Sequence, residues 1–265
     1  MVKYLENKKE IINIAKELLS LKLYPDQKFG WSIVHHPFTN SNNVLVNNTI
    51  LNLSIEENVD KWRKQMLKII KNSDFFDITM LIEKPYKLTF LKYCLPFLDN
   101  KDIAKFFNQN WRLIEYPNND ATLNTYQITQ LLLKCKKDSL MNTTELSIYN
   151  NLSDQVTVYR GIPNINKNNE HALSWTLDKS IANKFALNFD INGSKENQNN
   201  SIVLTKKVNK KDIICYFDDE KEVLINTYNN VCDKNVKCMW LKKFVLHKVY
   251  KVVHFFTLPK MSNIS

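Results

Sequence analysis

With 265 residues, 44% of them hydrophobic, the chain can build one domain or two small ones around a sizeable core. No stretch approaches the ~20 apolar residues of a membrane-spanning helix. No basic start leads into an apolar leader either, so the expected location is the cytoplasm of the producing or infected cell. The net charge of +10 raises nucleic acid as a partner.

Only Arg63, Arg112 and Arg160 are arginines. The lysine groups (Lys134, Lys136, Lys137; Lys206, Lys207, Lys210, Lys211; Lys242, Lys243) are not interleaved with an obvious aromatic stacking pattern. A solvated lysine face is therefore the default reading and a nucleic-acid surface the alternative. Five scattered cysteines (Cys94, Cys135, Cys215, Cys232, Cys238) form no CxxC pair. Cys232 and Cys238 with His247 match no usual zinc spacing, so idle thiols in a reducing compartment, and no metal, are expected.

In chain order, residues 10–23 place Ile11, Ile14, Ala15, Leu18 and Leu19 at helical spacing. Pro25, Gly30 and Pro37 then interrupt, and the asparagine-rich run 40–48 reads as a loop. Ser54 followed by Glu57 predicts a capping box opening a helix with Val59, Trp62, Met66, Leu67 and Ile70 on its apolar side. Further helices are predicted near 89–98, 102–111 and 125–136. Strand-rich runs follow at 156–160, 202–208, 213–217, 222–226 and 244–256. Between the first two of these lies a helix capped by Asp178, with Ile181, Ala182, Phe185 and Ala186 on one face. The class is α+β: a helical front, whose first region over residues 1–100 has no assigned role, followed by a strand-rich back after Asn151.

The three glycines, Gly30, Gly161 and Gly193, exclude a glycine-rich phosphate loop. Three short motifs carry the chemistry. In Val158-Tyr159-Arg160-Gly161, an arginine at a strand end offers the planar fork that grips a diphosphate, and the glycine permits close approach of a ligand. In Ser174-Trp175-Thr176-Leu177, alternation puts two hydroxyls on one strand face. In Glu220-Lys221-Glu222, strand spacing places two carboxylates on one face, with Glu222 nearer the apolar run. Taken singly, each has an ordinary structural explanation.

Taken together, the order YRG, SWTLDKSIANKFA, EKEVLI resembles the R-S-E class of mono-ADP-ribosyltransferases, which includes arginine-modifying bacterial toxins and phage transferases. The resemblance covers about residues 156–226, with the preceding helices as that fold's helical lobe. It implies two packed antiparallel sheets, a catalytic domain over 101–265, and NAD+ as substrate. Under it, Glu222 stabilises the oxocarbenium-like transition state and bonds the ribose 2′-hydroxyl. Arg160 holds the diphosphate, Gly161 receives the nicotinamide amide, and Ser174 orients Glu222. Thr176 supports the strand and, with Phe185, is counted among the cofactor-binding residues. Glu220 activates the acceptor, beside a target-recognition loop carrying Tyr216 and Phe217. The polar run 187–200 resembles the loop that folds over NAD+, but it lacks an arginine. The acceptor implied is a protein arginine; the alternatives are RNA or DNA, plain NAD+ hydrolysis, and an inactive NAD-binding module. An inhibitor or antitoxin protein is a further expected partner.

Overall fold

Ile11, Ala15, Leu18 and Leu19, spaced for one helical face, form the buried side of α1 (Val2–Ser20). This helix belongs to a computed structural model that describes residues 2–114, 117, 120–162, 172–188 and 202–228. A small antiparallel ribbon follows: β1 (Tyr24–Asp26), β2 (Gly30–His36) and β3 (Thr39–Ser41). Next comes a hairpin of β4 (Asn43–Val46) and β5 (Thr49–Asn52). The loop expected over 40–48 is therefore largely strand. Asn47 and Asn48 both adopt positive φ, 47° and 63°, as the two-residue turn between twisted strands requires. Asparagine tolerates that conformation, so the run builds a turn instead of a loop.

α2 (Glu56–Asn72) opens without the expected capping box. Its N-cap is Ile55, which makes no side-chain cap. Ser54 instead bonds Asn52, its hydroxyl donating to Oδ1 at 2.6 Å. α3 (Phe75–Leu81), α4 (Lys87–Cys94), α5 (Asn100–Asn110), α6 (Thr125–Leu133), α7 (Lys137–Leu140) and α8 (Thr143–Asn150) complete the front. Reciprocal capping boxes start four of these: Asp74 with Asp77, Asp99 with Asp102, Asn124 with Gln127, and Asn142 with Glu145.

The rest is β6 (Gln155–Ile162), β7 (Ser174–Thr176), α9 (Lys179–Asn188), β8 (Ile202–Asn209), β9 (Ile213–Phe217) and β10 (Glu222–Ile225). These five strands form one antiparallel sheet in the order β8-β6-β7-β10-β9. Two packed sheets were expected in this region; among the described residues there is one. The strand expected at 244–256 and most of the run 187–200 lie outside those residues. A single hydrophobic cluster runs from Ile11 in α1 to Ile225 in β10, so the front and the sheet share one core across residue 100. The class is α+β, and no described helix is long and apolar enough to cross a membrane.

His36 sits in that interior, 1% exposed and edge-on to Trp62. Its Nδ1 accepts the Phe38 N–H at 3.1 Å. Burial, with Arg63 nearby, pushes its pKa down to about 4. An unfolded histidine takes up its proton below about pH 6.5 while this one stays neutral, so acid favours the unfolded chain. Stability should fall by about 2 kcal/mol between pH 6.5 and pH 5, above the range where most carboxylates titrate. Urea unfolding at the two pH values checks this, and a His36→Gln chain should lose that part of the slope.

Candidate active site

The site forms where three strands and one turn of the helical front meet. β7 and β10 pair with Glu222 opposite Thr176 and Leu224 opposite Ser174. Cross-strand partners and residues two apart share a face, so Ser174, Thr176 and Glu222 point the same way. The Ser174 hydroxyl donates to the Glu222 carboxylate. β6 meets β7 at one register pair, Tyr159 with Thr176. Beyond it the strands part, and the Ser174 carbonyl accepts from Arg160 Nη1 at 2.5 Å. Arg160, Ser174 and Glu222 are thus brought together from three strands.

Glu222 has a second partner that the motifs did not reveal. Trp111, in the 3-10 turn Trp111–Leu113 after α5, donates its indole N–H to Glu222 Oε1 at 3.0 Å. Glu222 keeps part of its surface open, yet it is enclosed deeply enough for burial to dominate its titration. Burial pushes its pKa up, the bonds from Ser174 and Trp111 pull it down, Glu220 raises it, and Arg160 lowers it. Arg160 is itself largely enclosed, and burial lowers its pKa against the pull of Glu222. Its Nε is buried and has no hydrogen-bond partner among the described residues.

Gly161 owes its identity to packing. A Cβ there would lie 2.0 Å from the Ala182 carbonyl oxygen, 2.6 Å from the Ala186 nitrogen and 2.9 Å from the Phe185 Cβ. Close crossing of α9 over β6, which the expectation of a ligand approach did not anticipate, demands the glycine. Phe185 lies at this crossing, half-buried.

Thr176 serves the turn before β10. Its hydroxyl donates to the Glu220 carbonyl at 2.7 Å and accepts the Asp178 N–H at 3.0 Å. Asp178 caps α9 as expected, accepting the Ser180 N–H at 2.8 Å.

Two expectations about the acceptor side need correction. Glu220 and Glu222 do not share a strand face, because β9 ends at Phe217 and β10 begins at Glu222. Lys221 between them adopts φ 45°, which breaks the alternation on which that reading relied. Tyr216 and Phe217 are not on a recognition loop. They end β9, 3% and 1% exposed, because all five residues of that strand are covered on both faces. The exposed residues of the turn are Asp218, Asp219, Glu220 and Lys221.

The turn is anchored from the front. Arg112, next to Trp111, bonds Glu145 Oε1 at 2.5 Å and Asp219 Oδ2 at 3.2 Å. Its guanidinium also lies 5.7 Å from the Phe217 ring centre. Glu145, 0% exposed, accepts the Asp218 N–H at 3.3 Å and the Asn142 N–H at 2.9 Å. No helix was expected over Thr143–Asn150, and nothing in Asn142-x-x-Glu145 points to the distant turn. Among the described residues, no group of three His, Cys, Asp or Glu could hold a metal ion.

Comparison of the chain with protein-family models, curated proteins and solved structures finds no match.

Replacing Gly161 by Ala should destabilise the protein by at least about 2 kcal/mol, since the methyl group meets backbone that cannot give way cheaply. The urea midpoint, compared with that of the unchanged chain, measures the loss.

Proposed function

We propose that the chain is a mono-ADP-ribosyltransferase that cleaves NAD+ at the nicotinamide–ribose bond and passes ADP-ribose to a protein arginine. The observation that carries this reading is a Glu222 carboxylate bonded by the Ser174 hydroxyl, with Arg160 held on the Ser174 carbonyl and acting on Glu222 by charge. Breaking a glycosidic bond develops positive charge on the sugar, and a carboxylate held beside that charge stabilises the transition state more than the ground state. Glu222 is enclosed, oriented by two donors, and partly open to a ligand. A guanidinium with an unpartnered Nε supports a role for Arg160 in gripping the diphosphate. The nucleotide would be held by Arg160 and by the residues around β6 and α9, with Phe185 beside them.

The charge of the turn favours arginine over nucleic acid as acceptor. Asp218, Asp219 and Glu220 stand together there, next to the proposed reaction centre. Asp219 is already paired with Arg112, which leaves Asp218 and Glu220 to repel a phosphate backbone and attract a guanidinium. Glu220 has its side chain exposed while its carbonyl is tied to Thr176, so it is available to an incoming acceptor.

Glu222→Gln should reduce both transfer and NAD+ hydrolysis by about 10²–10³ without loss of folding. The assay is release of nicotinamide and incorporation of labelled ADP-ribose into lysate protein; near-normal turnover by the folded variant would overturn the reading.

Glu220→Gln should separate the two activities, removing transfer to arginine while retaining most of the NAD+ hydrolysis, because water needs little positioning. Agmatine, a small guanidine, serves as the acceptor in that assay. Equal loss of both activities would place Glu220 on the donor side.

A further inference from the structure

We infer that Trp111, contributed by the helical front, is a positioning residue for Glu222, so that the front completes the reaction centre. The inference rests on the transferase reading for its catalytic consequence and on geometry alone for the contact.

The contact is specific. An indole N–H is only a donor, so whenever Glu222 is ionised this bond is charge-assisted. Trp111 is 3% exposed and wedged against Phe107, ring centres 6.1 Å apart. Its ring therefore has little room to turn, and Glu222 Oε1 is held at a fixed point. The next residue, Arg112, grips Glu145 and Asp219. Two adjacent side chains of one short turn thus hold both ends of the segment from Asp219 to Glu222.

The bond also divides the work around the carboxylate. A carboxylate has about four acceptor positions on its two oxygens. Trp111 takes one on Oε1 and the Ser174 hydroxyl takes another. Sites remain for a ribose hydroxyl, while rotation of the carboxylate about its own axis is blocked from two sides. A carboxylate fixed before the sugar arrives needs no reorganisation as charge develops. The charged or titratable groups that act on Glu222 besides these donors are Glu220 and Arg160, and Cys215 interacts with it from β9.

The test uses the full chain and two independent readouts. In Trp111→Phe an aromatic ring remains, smaller than the indole, and the N–H is gone. The kcat for NAD+ hydrolysis should drop about ten- to a hundredfold, the worth of a hydrogen bond to a charged group, while KM for NAD+ changes less than about twofold. The acidic limb of the kcat profile should move to higher pH, because an ionised Glu222 has lost a donor. An unchanged kcat and an unmoved limb in a folded variant would leave Trp111 as a core residue only and overturn the inference.

The second readout needs no turnover. The indole ¹⁵N–¹H resonance of Trp111, assigned in the unchanged chain through its contacts with the Phe107 ring, should shift as Glu222 titrates, and the inflection should vanish in Glu222→Gln. An indole signal indifferent to that titration would overturn the contact itself, even if Trp111→Phe failed to fold. If the unchanged protein turned over no NAD+ while the indole followed Glu222, the transferase reading would fail and the positioning contact would stand.

Discussion

The carboxylate of Glu145 is the interaction on which the arrangement of the site depends. It is fully buried, and an isolated buried charge would cost several kcal/mol. It is stabilised by donors from three places: Arg112 after α5, the Asn142 backbone at the start of α8, and the Asp218 backbone after β9. The Asn142 bond is local to α8, whereas Arg112 and the Asp218 N–H reach Glu145 only when α5, α8 and the end of β9 are all in position. The helical front and the β9–β10 hairpin are thereby locked in one relative placement. That placement sets Trp111 against Glu222, 111 residues further along the chain.

The three arginines make a related point about a chain whose positive charge is otherwise lysine. Each occupies a partly enclosed position with a backbone or carboxylate acceptor. Arg63 Nη2 donates to the Leu21 carbonyl at 2.7 Å, Arg112 bridges Glu145 and Asp219, and Arg160 reaches the Ser174 carbonyl. A planar fork of fixed donors suits such places better than a flexible ammonium. Lys87 is an exception, buried with its Nζ on the Thr79 carbonyl. The lysines of β8 and the turn after it, Lys206, Lys207 and Lys211, face solvent, where charge costs little.

How much of this was legible in the sequence follows from the range of the forces involved. Apolar stripes such as Ile11 to Leu19 and strand runs such as Ile213 to Phe217 are local patterns, and they fold as their spacing implies. The order of Arg160, Ser174 and Glu222 was legible from the three short motifs, and the structure puts them on the neighbouring strands β6, β7 and β10, with Arg160 two residues short of the end of β6. Three kinds of feature were not. The asparagine turn at Asn47 and Asn48 looked like loop because its composition is polar, although its conformational preference is that of a hairpin. Lys221 in the left-handed region is unusual for lysine and defeated the alternation argument for Glu220. Trp111 and Glu145 act across the chain, and no local pattern encodes a partner at that distance.

The conformation of Lys221 has a consequence for how the two sides of the site respond to their surroundings. Its backbone adopts a conformation that costs a lysine more than a glycine, and its side chain makes an ion pair with Asp178, 2.8 Å long and open to water. Such a pair weakens as ionic strength rises, whereas the bonds from Trp111 and Ser174 to Glu222 are enclosed and scarcely screened. Salt therefore weakens one tether of the rim that carries Glu220, whose carbonyl stays bonded to Thr176, and leaves the floor that carries Glu222 taut. A single turn of four residues separates a surface tuned by the medium from a centre insulated from it.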